Sequence, residues 1–325
     1  MAGEYKYTML APPDFDDEDL VYVTQMGAKY IYALITDMDY SHKTLKEKFE
    51  RAASHNITIS SLFCFTKPVD VILNLPSKDE TIKKMEEFLD IIASFGIKTH
   101  TMAWEPDNVW STHRQALVRG ARTRHVDMNE IVTRPLAHGR SYSREEMWDN
   151  FAYFISKMMP VYERTGITLT LHPNDPPTNT LLGGIPCIFT CLDDYKKAFG
   201  IAGSKNIGME FCCGCWLEGK TENMGDIIED LTWCIENDRV QIIHFRNISG
   251  PLPVFTEVFP EMGCYDMYNI IRLLCKLEYN GMLTIDHSPL MVDGPKKRIP
   301  MAYSTGYLRA LTQRANAELG NNQRR

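Results

Sequence analysis

GITLTLHPNDPP, residues Gly166–Pro177, decides the fold. A glycine ends a helical pattern, a short β-favouring run follows, and a histidine then meets a proline-rich turn. Three later stretches repeat this logic: IGMEFCCG (Ile207–Gly214), QIIHFRN (Gln241–Asn247) and GMLTIDH (Gly281–His287). Each is a brief apolar run that stops at a chemically active side chain. Such runs suit parallel strands buried on both faces.

Working outward, the alternation of runs and amphipathic stretches extends over the whole chain. The expected strands are Tyr7–Leu10, Tyr30–Ile35, Ile57–Cys64, Thr99–Trp104, Thr168–His172, Ile207–Phe211, Gln241–Asn247 and Leu283–His287. Between them, Glu80–Phe95, Glu145–Thr165 and Met267–Tyr279 place apolar residues three and four apart, as on one helical face. Gly96, Gly166 and Gly281 mark the expected helix ends. Eight strand–helix repeats predict an α/β fold, a (β/α)8 TIM barrel formed by residues 1–325 as a single domain. A doubly wound open sheet is the competing arrangement, but no Gly-rich turn follows Leu10. The segment Glu105–Tyr142 exceeds an ordinary βα loop and is expected to be an irregular, lid-like excursion.

Composition narrows the function. The chain has 325 residues, 44% hydrophobic, and a formal net charge of −7. An acidic protein without a basic face is a poor partner for nucleic acid. No uninterrupted apolar run is long enough to span a membrane. Nine cysteines without a regular framework fit a reducing compartment, so a cytoplasmic location is expected. A small anionic ligand remains compatible with this charge if a local basic cluster exists. Arg119, Arg122, Arg124 and His125 supply one candidate. A homo-oligomer is compatible with a barrel of this size, but no interface can be read.

Barrel active sites lie at the C-terminal ends of the strands. The last positions of strands five to eight are His172, Cys212, His244 and Asp286, all able to bind metal. Taken singly, each has an ordinary structural explanation; together, four consecutive strands deliver four ligands to one rim. A zinc ribbon on Cys212, Cys213 and Cys215 would need a second cysteine pair at suitable spacing, which is absent. Arg246, two residues after His244, is either a substrate-carboxylate clamp or a structural ion pair.

LHPNDPP (Leu171–Pro177), GMEFCCG, IHFRN (Ile243–Asn247) and Asp286–His287 resemble the mannonate dehydratase family of xylose-isomerase-like barrels. FGIKT (Phe95–Thr99), Trp110, RGARTRHVDMNEI (Arg119–Ile131) and NFAYFISKMMPVYERTGI (Asn150–Ile167) follow in the family's order. The resemblance runs from about Lys98 to Ala310. It implies a hydro-lyase converting the sugar acid D-mannonate to 2-keto-3-deoxy-D-gluconate and water. It also implies a divalent cation, Mn2+, on His172, Cys212, His244 and Asp286. A thiolate with two imidazoles favours Zn2+ by affinity, and Fe2+ or Co2+ also suit the set. The resemblance further implies catalytic roles for His287 and for a tyrosine best matched by Tyr303, with Tyr307 competing. Arg246, Arg122, Arg124 and Trp110 are the expected substrate contacts.

This chain departs from the family pattern in places. Asn174 replaces an acid, Ala103 stands where an asparagine is expected, and Tyr7–Pro12 replaces the first-strand motif. An isomerase or epimerase on the same barrel, or a binding protein without activity, are the alternative readings.

Overall fold

A computed structural model describes residues 5–36, 41–64, 67–222, 224–292 and 297–320. Among these residues, the strands in chain order are β1 (Lys6–Ala11), β2 (Tyr30–Ile35), β3 (Thr58–Cys64), β4 (Thr99–Ala103), β5 (His113–Val118), β6 (Ala121–Asp127), β7 (Thr168–His172), β8 (Ile207–Cys212), β9 (Val240–His244), β10 (Asn247–Ile248), β11 (Val254–Val258) and β12 (Met282–Thr284). Eight of them close a parallel barrel in the order β1-β12-β9-β8-β7-β4-β3-β2. The expected fold class is the observed one, with helices surrounding the barrel.

The sequence explains the local structure. The helix Arg144–Thr165 starts at a reciprocal cap, in which Ser143 and Glu146 satisfy each other's backbone N–H groups. It stops at Gly166, whose φ of 66° is readily tolerated only without a Cβ. Phe151, Phe154, Ile155 and Met158 of this helix are buried in the core shared with the barrel. Gly281 works differently from the expected helix cap. The preceding helix already ends at Lys276, and a Cβ at Gly281 would strike the Tyr279 ring.

Two expected boundaries shift in ways that matter at the rim. β12 ends at Thr284, so Asp286 and His287 lie beyond the strand and escape its strict side-to-side alternation. β9 ends at His244, which leaves Arg246 in the following turn.

The excursion Glu105–Tyr142 is not irregular. β5 and β6 form an antiparallel hairpin whose two-residue turn, Arg119–Gly120, has positive φ at both positions (50° and 80°). That backbone matches strand twist. β6 pairs with β11, and β11 with β10, giving a four-stranded accessory sheet in the order β10-β11-β6-β5. The sheet covers part of the rim and carries Arg124 and Glu257 inward. Among the described residues, no helix is long and apolar enough to cross a membrane.

Candidate metal centre

The barrel register sets the site. His172, Cys212 and His244 are the last residues of β7, β8 and β9, and Cys212 lies directly opposite His244. His244 in turn pairs with Thr284, two residues before Asp286. Donor atoms of Cys212, His244 and Asp286 lie within 4.8 Å of one another. A second triad with the same spacing is His172, Glu210 and His244. The four sequence-predicted ligands are therefore brought together, and a fifth candidate, Glu210, joins them. Glu210 lies two residues before Cys212, so both side chains share one strand face. That spacing was a readable signal, masked by the apolar residues around it.

The donors suit a divalent cation. Both carboxylate oxygens of Glu210 and both ring nitrogens of His244 are buried without a hydrogen bond. Buried polar atoms rarely stay unmatched unless a ligand completes them. The Nδ1 of His172 is 2.7 Å from the Pro173 carbonyl, which fixes the tautomer and leaves Nε2 as the donor. Burial opposes ionisation of Cys212, but the Cys215 thiol, the Arg246 guanidinium and the two imidazoles hold its thiol well below the usual range. Burial also disfavours protonated His172, yet the neighbouring Cys212 thiolate raises that imidazole to about 9.

Behind this cluster lies a second one, filled by the protein itself. Arg246 is 1% exposed and sits 2.6 Å from Glu218, 2.9 Å from Glu257 and 3.3 Å from Asp175. Its Nε is 2.9 Å from Asp286. Arg124 is equally buried, 2.7 Å from Asp175 and 3.2 Å from Glu257. Glu257 stays ionised despite burial, because His287, Arg246 and Arg124 pull its carboxyl well below the ordinary range. Glu218 goes the other way: burial and the nearby Asp175 push its carboxyl well up.

These contacts correct the expected substrate role of Arg246 and Arg124. Both guanidiniums are committed to buried carboxylates, the structural alternative for Arg246. Arg122 is exposed and bridges Leu290 through its backbone, away from the cavity lining. Cys213 and Cys215 are buried on a short helix, and Cys215 packs 3.4 Å from Arg246.

A cavity of about 720 Å³ opens over the rim. Its floor includes His172, Glu210, His244 and Asp286. Trp110 stands on its wall, as do Ala103 and His287. Lys67, Arg114, Arg134 and Lys297 also line it and supply positive charge, although Lys67 pairs with Glu105 at 3.1 Å. The sequence patch Arg119–His125 pointed to the right segment for cationic side chains but to the wrong strand positions. His287 presents Nδ1 to Glu257 at 2.8 Å. Tyr303 is not part of the cavity. It is 39% exposed, donates its hydroxyl to Glu261 at 2.5 Å and packs against Phe259. Tyr307 is also outside the lining and packs against the core.

Comparisons with known proteins agree with this geometry. The model of a family described as D-mannonate dehydratase (UxuA) matches residues 115–316. A mannonate dehydratase of Streptococcus agalactiae serotype V is 28% identical over 277 residues, covering 76% of this chain and 77% of the relative. The crystal structure of mannonate dehydratase from Streptococcus suis serotype 2 superposes with a TM-score of 0.84 at 19% identity, over 98% of this chain and 95% of the other. A xylose isomerase domain protein from Alicyclobacillus acidocaldarius gives 0.60 at 12% identity, over 96% and 100%. These two likenesses establish a shared xylose-isomerase-like barrel.

Proposed function

Because the chain belongs to the D-mannonate dehydratase family, we propose that it is a cation-dependent hydro-lyase that converts D-mannonate to 2-keto-3-deoxy-D-gluconate and water. One observation carries the cation dependence: unmatched imidazole and carboxylate donors converge on the floor of a cavity whose walls bear lysine and arginine. His172, Cys212, His244 and Asp286 would hold the cation. Mn2+ is the ion proposed, by resemblance.

The reaction removes a weakly acidic proton next to a carboxylate and expels the neighbouring hydroxyl. A dication held by these residues would supply positive charge against the negative charge that develops on the substrate as the proton leaves. The chain's own groups do the rest. Glu257 accepts from His287 Nδ1, and the other ring nitrogen, Nε2, stands 3.3 Å from Asp286 at the cavity wall, where it can take or give a proton beside the cation site. The ionised Glu257 also stabilises the imidazolium that results. Arg114, Arg134 and Lys297 are placed to draw in an anionic sugar acid and hold its carboxylate. Trp110 closes one side against solvent. All nine cysteines are free thiols, which supports a reducing, cytoplasmic setting.

The test is 2-keto acid formation from a panel of aldonates with added Mn2+, with D-mannonate expected to be the best substrate. Exchange of substrate hydrogen with solvent and no net dehydration would overturn the lyase reading. His287→Ala is expected to abolish turnover while the protein still binds Mn2+. Unchanged turnover would remove His287 from the mechanism.

A further inference from the structure

Glu210 is fully buried in the barrel mouth, on the same face of β8 as Cys212. Its Oε1 is 2.7 Å from His244 Nε2. Despite that distance neither atom makes a hydrogen bond, so the oxygen does not lie along the ring's N–H axis. A carboxylate that merely orients an imidazole lies on that axis, as the Pro173 carbonyl does for His172 Nδ1. Side-by-side donors have another meaning. Two ligands each about 2.1 Å from one ion stand roughly 3 Å from each other. Donor atoms of His172, Glu210 and His244 also lie within 4.8 Å of one another, and all three residues face the cavity.

A buried carboxylate with no hydrogen bond on either oxygen costs several kcal/mol of lost hydration unless a positive partner restores it. Arg246 is spent on Glu218, Glu257, Asp175 and Asp286, and the one cationic side chain paired with Glu210 among the described residues is His244, itself a candidate ligand.

We propose that Glu210 is a direct ligand of the catalytic cation, alongside His172 and His244. The inference rests on the cation-dependent reading of the same cluster. A second carboxylate offsets the soft Cys212 thiolate with a hard oxygen donor. That shifts preference towards Mn2+ and away from Zn2+, which the thiolate and imidazoles alone would favour.

The test measures Mn2+ and Zn2+ dissociation constants separately on the metal-stripped full chain, by calorimetry for Mn2+ and chelator competition for Zn2+. Glu210→Gln keeps the size and a hydrogen-bond acceptor but loses the charge. It is expected to weaken Mn2+ binding about tenfold more than Zn2+ binding, with a changed Mn2+ electron paramagnetic resonance spectrum. Glu210→Asp, which keeps the charge and guards against a folding failure of the first variant, is expected to fall between it and the wild type for Mn2+. Equal weakening of both ions in Glu210→Gln would make Glu210 a residue that positions His244, and wild-type Mn2+ affinity in either variant would deny it any role; each result overturns the proposal. If the wild-type chain binds neither ion, the cation-dependent reading fails first and this inference falls with it.

Discussion

Two charged clusters lie back to back at the mouth of the barrel, and they are built on opposite terms. In the inner one, Arg124 and Arg246 meet Asp175, Glu218 and Glu257 at 2.6 to 3.6 Å, so every guanidinium has fixed opposite charge against it. In the outer one, Glu210 and His244 are paired at 2.7 Å, yet neither carboxylate oxygen and neither ring nitrogen makes a hydrogen bond, whereas Asp175, Glu218 and Arg246 of the inner cluster each leave only one such atom and face several opposite charges. Burial is similar in both. The difference is whether the polypeptide supplies the counter-charge or leaves it to something that enters. A buried charge is therefore weak evidence for a ligand, whereas a buried group left without a partner at a cavity floor is strong evidence.

Mutations should separate the two clusters. The largest effect is expected from His244→Ala, which removes the donor shared by both triads. It should cost roughly 10³-fold or more in keto-acid formation, the scale of losing metal catalysis. Retention of a tenth of wild-type turnover would place the cation elsewhere. Arg246→Met attacks the inner cluster. It strands buried carboxylates and should lower stability to urea by about 3–5 kcal/mol. If stability held and only KM rose, Arg246 would belong to the substrate after all.

His100 calibrates what burial does without either kind of partner charge. Its ring is buried among helices, 2.8 Å from the Tyr162 hydroxyl, and burial lowers its pKa from 6.5 to about 4. The unfolded chain therefore takes up this proton first. The stabilisation is fully present above pH 6.5 and is lost as pH falls to 4. That amounts to about 3 kcal/mol relative to His100→Asn, read from urea unfolding across that range. Parallel pH curves for the two proteins would refute it. The smallest effect is expected where the clusters touch. Glu257→Gln should lower kcat by roughly 10- to 100-fold while Mn2+ affinity stays unchanged, because Glu257 contacts His287 and not the triads. A parallel loss of Mn2+ binding would merge the two clusters into one.

The barrel was legible in the sequence because parallel strands are buried on both faces and leave apolar runs such as Ile207–Phe211. The rim donors were legible because each run ends on one. The accessory sheet was not: HRQALVRGARTRHVD is rich in charge, and its strands are held by pairing with β11, far along the chain. The role of Arg246 was hidden for the same reason. Its partners Asp175, Glu218 and Glu257 are separated from it in sequence, and no spacing rule connects them. Tyr303 was placed by analogy and sits outside the cavity, whereas Glu210 could have been found by carrying strand alternation one step back from Cys212.

The accessory sheet also bears on the order of folding. Its β6–β11 pairing joins residues as far apart as His125 and Thr256, 131 positions along the chain, while β7 and β8 are joined through the single helix Leu192–Ala202. Loop closure over such a span is slow compared with local strand–helix–strand assembly. The contacts that bring Arg124 and Glu257 into register then form after the local β7–β8 pairing. Pulse-labelled hydrogen exchange should find the β7–β8 amides protected before those of β6, so the nascent enzyme passes through a stage in which β7 and β8 are paired but His287 has not yet been given its partner.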